Sequence, residues 1–417
     1  MTWRFDFYGS IQFWAALGVV VVLIRLFGRN ARVKGMVLFA SSTLLLLAMP
    51  QFGIPDLLAV WAIAGCSFWA ARTLCSPADR PGRRLLIAVL GGASVLGTLA
   101  FFKYRFAQDL FFGRTGATPT PSSNYLFLLG VSYFSFKAIH VVVETYKRSI
   151  PQVSFLDYFN YMTFFPSFIS GPISRYPQFV AQLGPVEAGT LKRDLGLAGE
   201  RIVHGLFKKL VLAKLMFPYT LMAMRITVGG LSARQVVLGL YASALYFYFD
   251  FAGYSDLAIG AARLLGIQLP ENFDKPFLQK NVRDLWSHWH MSLTSWLVDY
   301  VYWPLVRRLR GVDWFRPRPI LLSTAAMTVT FIVCGMWHGE APHFLLWGTV
   351  HGLGISLATV YQRQKRAVPS PALQRYFRSR ASAVVGAVGT FHFFTAALAL
   401  FLLDIRELRA LAAALLH

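Results

Sequence analysis

Long apolar runs recur along almost the whole chain, separated by short polar or basic stretches. A helix of about 20 apolar residues is long enough to cross the hydrocarbon core of a bilayer. Roughly eleven runs approach that length, at 10–27, 36–53, 55–74, 84–102, 125–143, 200–222, 231–249, 286–306, 319–337, 343–362 and 382–403. The pattern predicts an all-α polytopic membrane protein with about 11 transmembrane helices.

Three segments interrupt this pattern. The stretch 150–200 is aromatic but is broken at Gly171-Pro172, and the polar stretch 269–276 is bounded by prolines. Non-helical backbone at membrane depth is tolerated only where protein or a water-filled cavity surrounds it. We therefore expect re-entrant or short helices around a central funnel, ringed by plain spans. The stretch 103–124, which contains glycines, prolines and serines, predicts an exposed loop.

Composition agrees with a membrane location. Apolar residues make up 56% of the chain and charged residues 14%, whereas about a quarter of a soluble domain is charged. The formal net charge is +22, but the lysines and arginines cluster in short segments between the runs, at 25–34, 72–84, 147–148, 307–318 and 363–380. The positive-inside rule places such segments in the cytoplasm and the N-terminus outside. This distribution predicts a multi-pass protein of the inner or plasma membrane and argues against nucleic-acid binding.

The first apolar run is followed by a basic stretch instead of a small-residue cleavage site, so we expect it to remain as a span. The three cysteines lie in or beside spans with no metal-type spacing, and packing is the simpler interpretation: Cys66, Cys75 and Cys334.

Two histidines are placed where chemistry is plausible. His338 follows Trp337 at the end of an apolar run, and His290 follows Trp289 at the head of another. Ionisable groups within spans usually face the bundle interior and often mark function. A histidine is also suited to take a proton from a hydroxyl nucleophile.

The other intramembrane histidines have simpler explanations. Packing is expected at His140, His204 and His392, and His351 could be a helix-packing position. His288 and His290 would point to nearly opposite sides of one helix, so only one of them is expected to face a site.

Other kinds of site find little support. The histidine spacings do not form a zinc-binding set, and there is no nucleophile elbow, P-loop or dinucleotide turn. Asp250 and Asp256 are intramembrane carboxylates that leave a transporter or flippase open as an alternative. A non-catalytic membrane scaffold is a further alternative.

Four stretches, in this order, resemble the membrane-bound O-acyltransferase family over roughly residues 125–355. They are 164–175, 249–256, 285–293 and 335–339, the last followed by Trp347-Gly348 and His351-Gly352. We expect a single integral-membrane domain, 1–417. It would comprise N-terminal spans at 1–149, an acyltransferase core at 150–355, and a C-terminal basic loop and last span at 356–417.

The resemblance also implies roles for individual residues. His338 matches the family's Trp-His-Gly motif, whose histidine is taken as the catalytic base. His290 matches the Trp-His-x-Ser motif on the opposite side of the reaction centre, where it could position substrate or donate to an oxyanion. His288 falls outside the implied catalytic pair. A water-excluding substrate funnel is expected to include Trp286, Trp289, Trp337, Ser170, Pro172 and Asn272, with no metal and no bound cofactor.

Within the family, 272–277, 289–292 and 299–302 look most like the D-alanyl-transfer branch. That branch implies a phosphopantetheine-linked thioester on an acyl carrier protein at the cytoplasmic side. The acceptor would be a hydroxyl of an extracytoplasmic envelope glycopolymer, or a downstream acyl-transfer partner. O-acetylation of a secreted exopolysaccharide, as in the alginate-acetylase branch, is the alternative, with acetyl-CoA as the alternative donor. Ser174-Arg175 departs from the D-alanyl branch, which usually has an acid before the arginine, so the acyl group and the acceptor stay open.

Overall fold

The computed structural model describes residues 7–49, 52–76, 80–112, 126–185, 191–224 and 231–416. These residues form helices joined by short connections, and the only extended pairing among them is an isolated antiparallel bridge between Phe273 and Trp289. Contacts divide the chain into two compact units: Met1–Gly205 with Tyr254–Pro270, and Leu206–Gly253 with Glu271–His417. The expectation of a single domain stays a prediction.

The helices of the N-terminal half alternate long spans with short pieces. They are α1 Ile11–Phe27, α2 Ala31–Leu47, α3 Ile54–Leu74, α4 Pro81–Lys103, α5 Arg105–Phe111, α6 Val131–Tyr146, α7 Phe155–Thr163, α8 Tyr176–Val180 and α9 Leu191–Leu206. In the first unit α3 packs against α4, and α6 packs against both. The α3–α4 approach is close, because a Cβ added at Gly91 would lie 2.8 Å from the Cβ of Ala70.

The C-terminal half contains the longest helices. They are α10 Ala213–Met216, α11 Leu221–Met224, α12 Ala233–Leu264, α13 Val282–His288, α14 Met291–Leu297, α15 Trp303–Arg310, α16 Pro319–His338, α17 Pro342–Ala367, α18 Pro371–Arg378, α19 Arg380–Leu402 and α20 Ile405–Leu416. In the second unit α16 and α17 form a tightly packed hairpin, and α17 also contacts α13 and α19.

The polytopic all-α class is confirmed. Among the described residues, six helices are long and apolar enough to cross a membrane: α3, α4, α12, α16, α17 and α19. The number of about 11 spans stays a prediction. The funnel is likewise still a prediction.

Two basic segments lie at the same end of the first unit, as one-sided loops should. The buried guanidinium of Arg84 donates to the backbone carbonyls of Leu74, Thr145 and Tyr146, at 2.6, 3.2 and 3.0 Å. Arg84 thereby ties the start of α4 to the C-terminal ends of α3 and α6. The carbonyls that end a helix have no partner within it, and a buried cation satisfies them.

Segment 150–185 contains short, broken helices, as expected. After α7 the chain makes a 3-10 turn at Phe165–Ser167 and then runs irregularly to α8. This irregular stretch is buried, and a Cβ added at Gly171 would lie 2.4 Å from the Cα of Ser167. Protein therefore surrounds the non-helical backbone, which is the condition for such backbone at membrane depth.

Three predicted segments differ from the structure. The run 286–306 is not one helix: it comprises the end of α13, an extended Trp289, a left-handed His290, α14, a π-helical turn and the start of α15. The run 200–222 is helical but irregular: α9 continues through a π-helical turn into α10 and a 3-10 turn that contains Pro218, and the helical stretch ends at the extended Thr220. In the predicted loop 103–124, residues 105–111 form α5, and 113–124 lie outside the described residues.

The break at Trp289-His290 arises from pairing with the polar stretch 269–276. The backbone N–H of Asp274 donates to the carbonyl of His288, and the N–H of Met291 donates to the carbonyl of Asn272, at 3.1 and 3.0 Å. These bonds hold the backbone out of the helical conformation between α13 and α14, with Trp289 extended and His290 left-handed. His288 and His290 therefore lie on different elements, and the argument that they face opposite sides of one helix was wrong.

Candidate active site

His338 is the last residue of α16, and glycine contacts between α16 and α17 fix its position. A Cβ added at Gly335 would lie 2.1 Å from the carbonyl oxygen of Phe344, and one at Gly348 would lie 2.2 Å from that of Phe331. No side chain fits in either place, so the two helix backbones are in direct contact. The end of α16 is consequently held against the first turns of α17.

Aromatic rings surround the half-buried imidazole of His338. Its ring centroid lies 4.9 Å from that of Phe401 and 5.2 Å from that of Trp347, both edge to face. The Trp337 ring lies 4.6 Å away. Such walls keep water away from a reacting group. The C-terminal end of a helix also carries partial negative charge, which stabilises the positive charge that the ring gains when it accepts a proton.

His290 is buried, with 4% of its surface exposed. It has a left-handed backbone conformation, with φ at 45°, immediately before α14. The side-chain oxygen of Asn272 accepts hydrogen bonds from the backbone N–H and the hydroxyl of Ser292, at 3.2 and 2.6 Å. The Nδ1 atom of His290 lies 3.4 Å from the same oxygen.

These contacts decide which nitrogen of His290 carries the hydrogen. Because the Asn272 oxygen can only accept, Nδ1 of the neutral His290 ring donates to it, across a long bond. Nε2 then holds the lone pair and acts as an acceptor. The Phe251 ring packs edge to face on the imidazole at 4.7 Å.

Two of the predicted funnel tryptophans, Trp286 and Trp289, lie in one aromatic cluster of the second unit. The cluster also contains Phe273, Phe394 and His351. Trp286, on α13, donates its indole N–H to Nδ1 of His351 at 3.0 Å. Trp289 packs on the rings of Phe273 and Phe394, at 5.1 and 4.8 Å. The cluster thus contains both tryptophans beside the α13–α14 break.

Shared neighbours connect this cluster to His338. The ring of His351 lies 4.7 Å from Trp347, which is also a neighbour of His338, and 6.3 Å from Phe394, which is also a neighbour of Trp289. A continuous series of ring contacts therefore runs from the α13–α14 break to the end of α16. Trp286, Trp289, Trp337 and His338 are brought together in this way.

The remaining predicted site residues lie in two separate places. Asn272 and His290 lie together at the break, and His290 directly follows Trp289 in the chain. Ser170 and Pro172 are buried in the first unit, and their assignment to the funnel stays a prediction. In the described ranges, no three His, Cys, Asp or Glu side chains come together as metal ligands.

Two contributors to the site had no clear signal in the sequence. Phe401 lies in the last predicted span, outside the expected core at 150–355, and an apolar ring in an apolar helix carries no polar mark. His351 was interpreted as a packing position, although its spacing of four from Trp347 puts both on one face of α17.

The two intramembrane acids are each in an ion pair. Asp250 lies 2.6 Å from the ammonium of Lys209 in the second unit, and Asp256 lies 2.8 Å from the guanidinium of Arg201 in the first. Pairing with a basic residue is the usual way to hold a carboxylate inside a membrane protein. These acids therefore do not need a transported ion to explain them.

Comparisons with known proteins cover the whole candidate site. A model of the membrane-bound O-acyltransferase family matches residues 105–403. A teichoic acid D-alanyltransferase of Bacillus subtilis (strain 168) is 28% identical over 93% of this chain and 95% of that protein. A second teichoic acid D-alanyltransferase, from Streptococcus thermophilus, is 31% identical over 59% of this chain and 60% of its own length. A protein named "Probable alginate O-acetylase AlgI", from Azotobacter vinelandii, is 27% identical over 71% of this chain and 58% of its own length.

Proposed function

Because this chain belongs to the membrane-bound O-acyltransferase family, we propose that it transfers a D-alanyl group to a hydroxyl of an envelope glycopolymer. The chain is a multi-pass O-acyltransferase of the plasma membrane. The proposed donor is a thioester on the phosphopantetheine arm of an acyl carrier protein at the cytoplasmic side. The proposed acceptor lies outside the cell, and His338 is the proposed general base.

The D-alanyl assignment rests on how much of each relative's length is matched by this chain. The Bacillus teichoic acid D-alanyltransferase is matched over 95% of its length, whereas the Azotobacter alginate protein is matched over 58%. A match from one end to the other supports a shared layout of the chain. A match to part of a longer protein leaves the remainder of that protein without a counterpart here.

The proposed reaction needs one base and no covalent enzyme intermediate. His338 removes the proton from the acceptor hydroxyl as its oxygen forms a bond to the thioester carbon. The carbon–sulfur bond then breaks, and the departing sulfur receives the proton from the imidazolium. The Trp347 and Phe401 rings beside His338 would keep out water, which would otherwise hydrolyse the thioester.

His290 has a different proposed role. Its Nε2 atom is an acceptor while Nδ1 donates to Asn272, so it is suited to hold the acceptor hydroxyl through that group's hydrogen. Of the two roles implied by the family resemblance, substrate positioning therefore has the better support. Donation to an oxyanion would require a proton on Nε2.

The test measures ester-linked acyl groups released from envelope material by mild alkali and identified by mass spectrometry. It compares cells with the wild-type protein, with His338→Ala and with no protein, at equal expression. We expect one acyl species to depend on the protein and to disappear in His338→Ala. His392→Ala is the matched control, since His392 is an exposed histidine on α19. Wild-type release from His338→Ala would refute the assignment of the base.

O-acetylation is the second candidate function, and two observations favour it. The alginate O-acetylase relative is one, and Ser174 at a position where the D-alanyl branch usually has an acid is the other. The same experiment separates the two functions, because the mass of the released acid identifies the acyl group.

A further inference from the structure

His351 lies at the centre of the aromatic cluster and has no exposed surface. Its Nδ1 atom accepts the indole N–H of Trp286 at 3.0 Å. An indole nitrogen can only donate, so Nδ1 must hold the lone pair. The neutral imidazole of His351 therefore carries its hydrogen on Nε2.

The Nε2–H group of His351 is a buried donor with no hydrogen-bond partner among the residues that the structure describes. Buried polar groups in folded proteins nearly always have a partner, because removing one from water without compensation is unfavourable. An unsatisfied donor at this depth indicates that a group outside the described residues supplies the acceptor.

Packing alone does not account for this histidine. The neighbouring Gly352 makes the helix contact, since a Cβ there would lie 2.5 Å from the Cα of Thr328 on α16. The His351 ring instead lies edge to face with Trp286 and Phe393, at 5.1 and 5.4 Å. A leucine would fill such an apolar surrounding, but it would leave the indole N–H of Trp286 without its acceptor.

The position of His351 relates it to the proposed base. Trp347 lies one helical turn earlier on the same face of α17, and its ring contacts both His351 and His338. A donor and a base therefore lie against the same indole.

We propose that the Nε2–H of His351 donates a hydrogen bond to the carbonyl oxygen of the acyl group and stabilises the oxyanion that forms there. This proposal rests on the proposed function, because the carbonyl belongs to the thioester that the acceptor hydroxyl attacks. As the new carbon–oxygen bond forms, the carbonyl π electrons move onto oxygen, and they return when the carbon–sulfur bond breaks. The hydrogen stays on His351 throughout, and Trp286 holds the ring in the donating tautomer.

The donor is tested by three substitutions that differ in what they leave at the ε position. His351→Gln keeps an N–H donor close to the position of Nε2. His351→Asn offers an acceptor to Trp286 but no donor at the ε position, and His351→Leu keeps only apolar packing. Protein in proteoliposomes is supplied with D-alanyl-loaded or acetyl-loaded carrier protein, with teichoic acid as acceptor. Thioester loss and ester formation are followed.

Removal of one oxyanion donor typically lowers kcat by about 10² to 10³. We expect His351→Asn and His351→Leu to show a loss of that size, with KM for the carrier within about threefold of wild type, because the interaction forms only in the transition state. The kcat of His351→Gln should be at least tenfold higher than that of His351→Leu. A merely structural role would instead lower the melting temperature and track the amount of folded protein.

Two outcomes would overturn the proposal. One is a kcat for His351→Leu or His351→Asn within threefold of wild type, and the other is an equal loss in the Gln and Leu variants. His338→Ala is measured alongside to separate this proposal from the function on which it rests. An active His338→Ala would refute the proposed function, whereas an inactive His338→Ala with an active His351→Leu would refute only the role of His351.

Discussion

Gly348 offers a direct test of whether the α16–α17 contact positions the site. In Gly348→Ala, the new methyl group would lie 2.2 Å from the carbonyl oxygen of Phe331 and 2.8 Å from its carbonyl carbon. These are backbone atoms of α16, so no side chain can turn aside to make room. Contact at an ordinary van der Waals distance requires the two helices to separate by about 1 Å.

The separation should affect both stability and activity. Overpacking of a tight interior typically destabilises a protein by about 1–3 kcal/mol. His338 ends α16 and Trp347 precedes Gly348 on α17, so the same shift moves the proposed base relative to its wall. A displacement of about 1 Å can lower a rate by about 10²-fold. We therefore expect Gly348→Ala to lower both the melting temperature and the rate of ester formation.

Thermal unfolding in detergent and alkali-released ester per folded protein are the two measurements. Gly389→Ala is the matched control, because Gly389 lies in α19 with nothing within 4 Å of an added Cβ. That variant should melt at or slightly above the wild-type temperature, since alanine favours a helix over glycine by about 1 kcal/mol. A wild-type melting temperature together with wild-type activity in Gly348→Ala would refute the argument that backbone contact sets the position of His338.

Three further predictions concern other parts of the chain. Arg84→Met should lower the free energy of unfolding by about 2–4 kcal/mol, measured by thermal melting, because it leaves the carbonyls at the ends of α3 and α6 unsatisfied; an unchanged melting temperature would contradict this. The basic segment 307–318 can attract an acidic carrier protein. Charge reversal at Arg307 and Arg308, both exposed on α15, should therefore raise KM for such a carrier at low salt, and the difference from wild type should vanish at high salt. An unchanged KM at low salt would refute carrier docking there. Asn272→Ala should lower kcat by about 10- to 100-fold by releasing His290 and the start of α14, whereas Ser292→Ala, which keeps the backbone donor to Asn272, should lower it less. Equal rates in the two variants would contradict the positioning role of Asn272.

The helical class and the placement of His338 could be predicted because they depend on local sequence. Runs of apolar residues report lipid exposure directly, and the run at 319–337 corresponds closely to α16. A histidine at the end of such a run is recognisable because an ionisable group is unfavourable there. These signals need no knowledge of which helices pack together.

The break at Trp289-His290 could not be predicted because its cause is distant in the chain. Residues 286–306 contain no glycine, and their only proline lies at position 304, beyond the break. The non-helical backbone at Trp289-His290 is set by hydrogen bonds to Asn272 and Asp274, which belong to a different segment. Tertiary pairing of this kind overrides local helix preference.

The aromatic partners of His338 and His351 could not be predicted for a related reason. Phe401 and Phe394 carry no polar signal, and they reach the site only because α19 packs against α17. The role proposed for His351 depends on which nitrogen faces Trp286, and that follows from an interhelical hydrogen bond. Sequence spacing predicts the face of a helix, whereas the partner of that face depends on packing.

The most direct test of the account compares two nucleophiles in His338→Ala. Proteoliposomes with acyl-loaded carrier protein are supplied either with teichoic acid, whose hydroxyl needs a base, or with hydroxylamine, which attacks thioesters without one. The uncatalysed hydroxylamine reaction is measured without enzyme and subtracted. General-base catalysis contributes about 10² to 10⁴ to a rate. The account predicts a loss of that size with the hydroxyl acceptor and a loss of less than about tenfold with hydroxylamine. Equal losses with both nucleophiles, or wild-type transfer to the hydroxyl acceptor, would contradict the role of His338 as the base.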